Sequence, residues 1–276
     1  MNISSEPLPK NRSRVSPRKA LAQHFLVDQG ALRRLLRASD VQPTDVVVEI
    51  GPGTGLLTKL LADRASRVIA VEIDELLVAR LTRDMGHLRN LSIIQGDARE
   101  WDPSIVGEPY KVIANLPYYA ATPIIRQFLE CAVPPSNITV TVQREVAKSM
   151  TAAPGKMRTL SVAIQIYGKP SIIGYIQPRS FYPPPKVTSA IVKIEVYDRP
   201  LLSVDDRATF FQVVRAGFSS ARKQLRNSLG HSFGLPGSMV AEVLQDAGIE
   251  PSLRAETLSL DEWGKLYHTF RNHGLC

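Results

Sequence analysis

Val46-Val47-Val48-Glu49-Ile50-Gly51-Pro52-Gly53-Thr54-Gly55 begins as a β-branched run and breaks into alternating glycines. The run from Val46 to Ile50, bounded by Pro43 and Gly51, reads as a short strand buried on both faces. The period turns helical over residues 54–63, so the glycines fall where strand becomes helix. Glycines at such a junction let a ligand approach the amides of the helix N-terminus. A dinucleotide fingerprint needs its third glycine one residue later, as GxGxxG, and leaves no acid where a pyrophosphate must approach. GxGxG after Glu49 better suits the zwitterionic end of a ligand that carries an amino acid.

The alternation extends to both sides of this run. Leu32, Leu35 and Leu36 recur at helical spacing before it, from Asp28 onward. After it, strands are expected over residues 67–72, 91–95, 111–114 and 138–142, with helices over 74–83 and 120–131. Strands that alternate with helices imply right-handed crossovers and a parallel sheet covered on both faces. A helical stretch near residues 159–167 precedes two β-rich runs, 171–176 and 188–196, separated by Pro178, Pro183, Pro184 and Pro185. These two runs are candidates for the final strands of the sheet. Residues 197–206, with Asp198, Pro200 and Ser203, read as a linker, and everything beyond is helical in period. The expected division is a flexible basic arm over 1–19, a ligand-binding catalytic domain over 20–197 and a helical domain over 198–276. No internal repeat interrupts this scheme.

Composition narrows the classes. A chain of 276 residues, 44% of them apolar, suffices for one major core with an appendage. No stretch approaches the roughly 18–20 uninterrupted apolar residues of a membrane span. The N-terminus lacks the apolar core of a secretory signal, and Glu6, Pro7, Pro9 and Pro17 spoil an amphipathic presequence. A soluble, cytoplasmic, monomeric protein without membrane contact is expected. Cys131 and Cys276 stand far apart with no ligand spacing, so neither a metal site nor a disulfide framework is expected. A net charge of +8 and an isoelectric point near 9.6 suit a polyanionic partner such as nucleic acid. Basicity for solubility alone is the competing reading.

Four further segments carry chemistry. Glu72 ends the second strand of the series, where a carboxylate can accept both hydrogen bonds of a ribose diol, a device nicotinamide enzymes share. Asp97, in Gly96-Asp97-Ala98 after the third, is positioned to accept from an adenine's exocyclic amine, with Ile73 as an apolar wall. The fourth ends in Asn115-Leu116-Pro117-Tyr118, a set suited to methylating an amine conjugated to an aromatic ring. The Asn115 side-chain oxygen and the Leu116 carbonyl would hold such an amine pyramidal, its lone pair aimed along a sulfonium–methyl axis. Pro117 stiffens the turn and Tyr118 offers a ring on which an extruded base can stack. Phe181, braced by Tyr182-Pro183-Pro184-Pro185, is the candidate for the base's other face, and a core phenylalanine beside a rigid turn is the alternative.

With these residues in view the chain resembles the ribosomal RNA adenine dimethyltransferases, the KsgA/RsmA group of small-subunit enzymes. The resemblance runs from about Lys19 to the C-terminus. It rests on Leu21-Ala22-Gln23-His24-Phe25-Leu26, the loop from Glu49 to Gly55, Glu72, Gly96-Asp97-Ala98 and Asn115-Leu116-Pro117-Tyr118. Gln143-Arg144-Glu145-Val146-Ala147, Phe181 to Ser189 and Arg222-Lys223-Gln224-Leu225-Arg226-Asn227 complete it. It implies an α/β, Rossmann-like class I methyltransferase fold, a mostly parallel sheet with a small all-helical C-terminal domain. It implies S-adenosylmethionine as methyl donor, in contact with His24, Leu26, Gly51, Glu72, Asp97 and Asn115. The implied substrate is a pair of adjacent adenosines near the 3′ end of 16S rRNA in the 30S subunit, each methylated twice, with a part in small-subunit biogenesis. The family usually has Gly-Gln-Asn-Phe where this chain has Ala22-Gln23-His24-Phe25. In the helical domain, Arg215, Arg222, Lys223 and Arg226 form a cationic face and Leu225 and Leu229 a buried one, either for gripping rRNA or as a solvated surface. A resistance methyltransferase acting on large-subunit RNA and a non-catalytic binding role are the rival functions.

Overall fold

The computed structural model describes Arg18 and residues 23–276. The basic arm expected over 1–19, Arg18 apart, lies outside the described residues, as do Leu21 and Ala22. The chain passes through β1 (Phe25–Leu26), α1 (Gln29–Ser39), β2 (Val46–Ile50), α2 (Leu56–Ala62), β3 (Arg67–Glu72), α3 (Glu75–Met85) and β4 (Leu91–Gln95). It continues through β5 (Tyr110–Asn115), α4 (Ala121–Glu130), β6 (Asn137–Gln143), α5 (Arg144–Met150) and α6 (Thr159–Gln165). Then come β7 (Gly168–Ile176), β8 (Phe181–Tyr182) and β9 (Ser189–Val196).

Seven strands form one sheet in the order β4-β3-β2-β5-β6-β9-β7. The five from β4 to β6 run parallel, and β9 lies antiparallel to both β6 and β7. The two β-rich runs near the prolines are therefore the final strands, and β7 tolerates Pro170 because it is an edge. Connectivity leaves β2 toward β3 and β4, then returns to β5, so a crevice opens between β2 and β5 at the carboxyl ends of the strands.

Alternation along β2 builds two cores. Val46, Val48 and Ile50 join the large cluster on one face with Val112, Ile124 and Phe128. Val47 joins the other with Leu32, Leu35 and Leu36 of α1, Leu57 and Leu61 of α2, and Ile113. Burying each such side chain contributes about 1.5–3 kcal/mol. By the same period Glu49 faces the α1–α2 side, in an apolar layer. The helix after the glycine turn starts at Leu56, later than its periodicity suggests, because Gly55 sits at its N-cap in the left-handed region, φ +80°.

The sequence signals did not reveal α5, nor the two-residue ladder of β1 and β8 that pairs Leu26 with Phe181 and Phe25 with Tyr182. Beyond β9 come α7 (Arg207–Gly217), α8 (Leu225–Phe233), α9 (Gly237–Asp246) and α10 (Leu260–Asn272), with no further strand among the described residues. Gly217 lets the Trp263 indole approach so closely that a Cβ would stand 2.5 Å from it. Phe218 stacks on that indole and Phe210 meets Tyr267 edge-on. These aromatics belong to the same continuous cluster as one face of the sheet. Leu225 and Leu229 are fully buried, while Arg215, Arg222 and Lys223 are exposed and Arg226 is half-buried.

No described helix is long and apolar enough to cross a membrane.

Candidate active site

A cleft opens at the carboxyl ends of β2 to β5. His24, Gly51, Glu72, Asp97, Asn115, Leu116, Pro117 and Tyr118 all line it, with Ile73 and Arg99. Sequence positions spread over some hundred residues converge there because each ends a strand or lies in the turn that follows.

The glycine turn forms the floor. Gly51 takes φ +66°, and where its Cβ would stand there is open space, so the backbone faces the cleft uncovered. At Gly53, φ +58°, a Cβ would collide with the Phe25 ring at 2.9 Å. Glu72 is buried, and its two oxygens each accept one backbone N–H, Oε2 from Gly53 at 3.1 Å and Oε1 from Asp74 at 3.0 Å. One lone pair per oxygen is left, which is what a ribose diol requires. Burial raises the Glu72 pKa above the usual carboxylate value, against the pull of those amides.

Glu49 lies deeper, on a smaller adjoining pocket that shares Gly51, Gly53 and Asn115 with the cleft. It is 1% exposed, and its Oε2 has no hydrogen-bond partner among the described residues. Desolvation, with Glu72 adding repulsion and the Thr58 hydroxyl opposing both, pushes its pKa up to about 8. A buried neutral acid beside a glycine turn is ready to ionise when a cation such as an α-ammonium approaches.

Asp97 is half-buried on the wall beyond β4, and Arg99 occupies it. Asp97 Oδ1 accepts the Arg99 backbone N–H at 2.9 Å and Nε at 3.0 Å, and Oδ2 accepts Nε at 3.0 Å and Nη2. The guanidinium holds the Asp97 carboxyl below its ordinary pKa.

The opposite wall is built on Asn115. Its Nδ2 donates to the His24 carbonyl at 2.9 Å, and its Oδ1 accepts from the Thr141 hydroxyl, its neighbour across the β5–β6 ladder. This bonding fixes the carboxamide's orientation and leaves one lone pair on Oδ1. The Leu116 carbonyl accepts no hydrogen bond among the described residues. Tyr118 is anchored by its hydroxyl to Ser189 Oγ at 2.6 Å and stacks on the His24 ring, centroids 5.6 Å apart. His24 Nδ1 donates to the Pro183 carbonyl at 2.7 Å, so its Nε2 is the acceptor nitrogen of the neutral ring.

Two expected residues stand elsewhere. Phe181 is 3% exposed and packs in the α1–α2 core with Leu26, Leu32, Ile176 and Ile191. It is not a wall of the cleft, and the alternative of a core phenylalanine is the one its position fits, because the β1–β8 ladder turns it inward. Leu26 is likewise buried, at 4%, and borders the smaller cavity only. The rings at the cleft are instead His24, Phe25, Tyr118 and the exposed Tyr119. Sequence reading missed Thr141 and Arg99. Thr141 was detectable as a polar residue on the strand beside β5, level with Asn115. Arg99 was visible only as a charge two positions past Asp97.

The switch-point cleft, the glycine turn after the central strand and the carboxylates at successive strand ends define a Rossmann-like methyltransferase. The family model for ribosomal RNA adenine dimethylase matches residues 14–271. The chain belongs to the ribosomal RNA adenine dimethylase family. It is 46% identical over 252 residues to ribosomal RNA small subunit methyltransferase A of Dehalococcoides mccartyi, covering 90% of this chain and 87% of that protein. To the protein of the same name from Moorella thermoacetica it is 40% identical, covering 93% of each. Among solved structures, a dimethyladenosine transferase from Plasmodium falciparum matches 91% of this chain and 98% of its own, with TM-score 0.76 and 25% identity. The 23S rRNA methyltransferase ErmE matches 90% and 99%, with TM-score 0.70 and 27% identity.

Proposed function

We propose that this enzyme dimethylates the exocyclic amines of two adjacent adenosines near the 3′ end of 16S rRNA within the 30S subunit, drawing methyl groups from S-adenosylmethionine. The observation that carries the reading is the acceptor wall: an oriented Asn115 oxygen beside an unengaged Leu116 carbonyl, with an anchored tyrosine ring next to both. Bound in the cleft, the donor supplies an electrophilic methyl group. Gly51 and Glu49 receive its amino-acid end, Glu72 the ribose diol, and Asp97 the adenine amine, with His24 and Asn115 completing the pocket. Leu26 supports this pocket from behind.

Asn115 Oδ1 and the Leu116 carbonyl accept the two N–H groups of the target amine. They thereby pull its lone pair out of conjugation and direct it at the methyl group. No strong base is required, because the alkylated nitrogen is acidic enough to lose its proton afterward. Pro117 keeps the Leu116 carbonyl facing the cleft, and the free face of Tyr118 stacks the extruded base. We assign residues 20–197 to catalysis and 198–276 to gripping rRNA. Support for the second assignment is that no ion pair engages Arg215, Arg222, Lys223 or Arg226 among the described residues.

The relatives named for the small subunit are the more similar in sequence, which favours 16S over 23S rRNA. The test is methyl transfer to 30S particles lacking the modification, read by mass spectrometry of the rRNA. Dimethyladenosine in the 30S particles and none in naked large-subunit RNA is the expected result, and the reverse pattern would reject the reading.

A further inference from the structure

Asp97 and Glu72 stand on one wall of the cleft, yet they are engaged by different kinds of donor. A carboxylate offers about four lone-pair sites. At Asp97 Arg99 directs three N–H groups at the carboxylate: its backbone N–H on Oδ1, Nη2 on Oδ2, and a single Nε–H shared between the two oxygens. The donors on Glu72 are backbone amides of the folded turn and cannot leave. Those on Asp97 come mostly from a side chain that is 47% exposed and free to swing outward. An amine that binds Asp97 therefore competes with the guanidinium for the same two oxygens.

We propose that Arg99 is a positioning residue that competes with the donor's adenine for Asp97 and, by returning to it, hastens departure of the spent donor. The inference rests on the reading of Asp97 as the acceptor for the adenine amine. Two adenosines methylated twice each need four rounds of donor-for-product exchange, and a product that left slowly would limit every round. Arg99 supplies a displacing group already tethered two residues away, so its effective concentration near Asp97 is high. An exposed bidentate pair is strong enough to reform and weak enough to be displaced. The base also matters: a hypoxanthine presents an oxygen where adenine presents an amine, so it cannot displace Arg99 and instead accepts a hydrogen bond from it.

The experiment uses S-adenosylhomocysteine and its inosine counterpart as probes on wild type, Arg99→Met and Asp97→Asn. Arg99→Met is expected to bind S-adenosylhomocysteine about 3–10-fold more tightly, chiefly through slower dissociation in stopped-flow traces. Its affinity for the inosine counterpart should be unchanged or lower, a split that general loosening of the fold would not produce. Multiple-turnover methylation should slow while a single turnover does not. Equal or weaker S-adenosylhomocysteine binding by Arg99→Met, with its melting temperature unchanged, overturns the proposal. If Asp97→Asn leaves S-adenosylhomocysteine binding intact, the assignment of Asp97 fails and the role of Arg99 falls with it. Weakened binding by Asp97→Asn without a gain in Arg99→Met rejects Arg99 alone.

Discussion

The two walls of the cleft differ in how far they are prepared. On the Asn115 side every polar group that supports the acceptor is bonded in place: the carboxamide to His24 and Thr141, the phenol to Ser189, the imidazole to Pro183. On the donor side Glu49 is buried without a partner for one oxygen and Asp97 is covered by Arg99. The difference follows from what each side must do. A poor nucleophile gains most from rigid positioning, whereas a donor that is replaced in every cycle gains from contacts that open and close.

The strongest way to break this contrast is at Phe181, which packs in the α1–α2 core and pairs with Leu26 beside the segment that carries His24. Phe181→Ala is expected to lower stability by about 3–5 kcal/mol, the usual loss for a buried phenylalanine, measured by urea unfolding. If the variant is as stable as wild type but slow in methyl transfer, Phe181 touches the base and the buried reading is wrong.

Next in size is Asn115→Ala. Turnover should fall by about 10²–10³-fold, as when one preorganised hydrogen-bonding group is removed, while S-adenosylhomocysteine affinity drops by no more than about tenfold. Comparable losses in both would move Asn115 from the acceptor wall to the donor wall.

The smallest effect sharpens the donor side. Glu49 has a folded pKa of about 8 against an ordinary 4.5, so between these values the folded state holds a proton that the unfolded chain has lost. That excess makes stability fall as pH rises through the window. Glu49→Gln removes the term, and its stability relative to wild type should grow by about 2 kcal/mol from pH 5 to pH 7. A constant difference between the two proteins across that range would mean that Glu49 is ionised in the empty cleft.

These contrasts were only partly legible in the sequence. Gly51, Glu72, Asp97 and Asn115 were readable because strand endings and crossover topology follow from local periodicity, and together they dictate which turns meet at the switch point. The mostly parallel sheet and the helical C-terminal part came from the same periodicities. The buried position of Phe181 was not readable because its direction depends on a ladder with Leu26, far away in the chain, and two-residue strands leave no period to read. The pairing of Asp97 with Arg99 was equally hidden, since a side chain's choice between solvent and a neighbouring carboxylate leaves no trace in spacing. Glu49 was visible as an acid before the glycines, but its neutral state depends on how deeply α1 and α2 cover it.

His24 ties three separate parts of the acceptor wall together: its carbonyl holds Asn115, its ring lies on Tyr118 and its Nδ1 reaches Pro183. The segment that carries it precedes the first helix, so the sheet has no need of it to fold. A chain cut just after this residue would retain its strands and its glycine turn yet lose the registration of its chemistry.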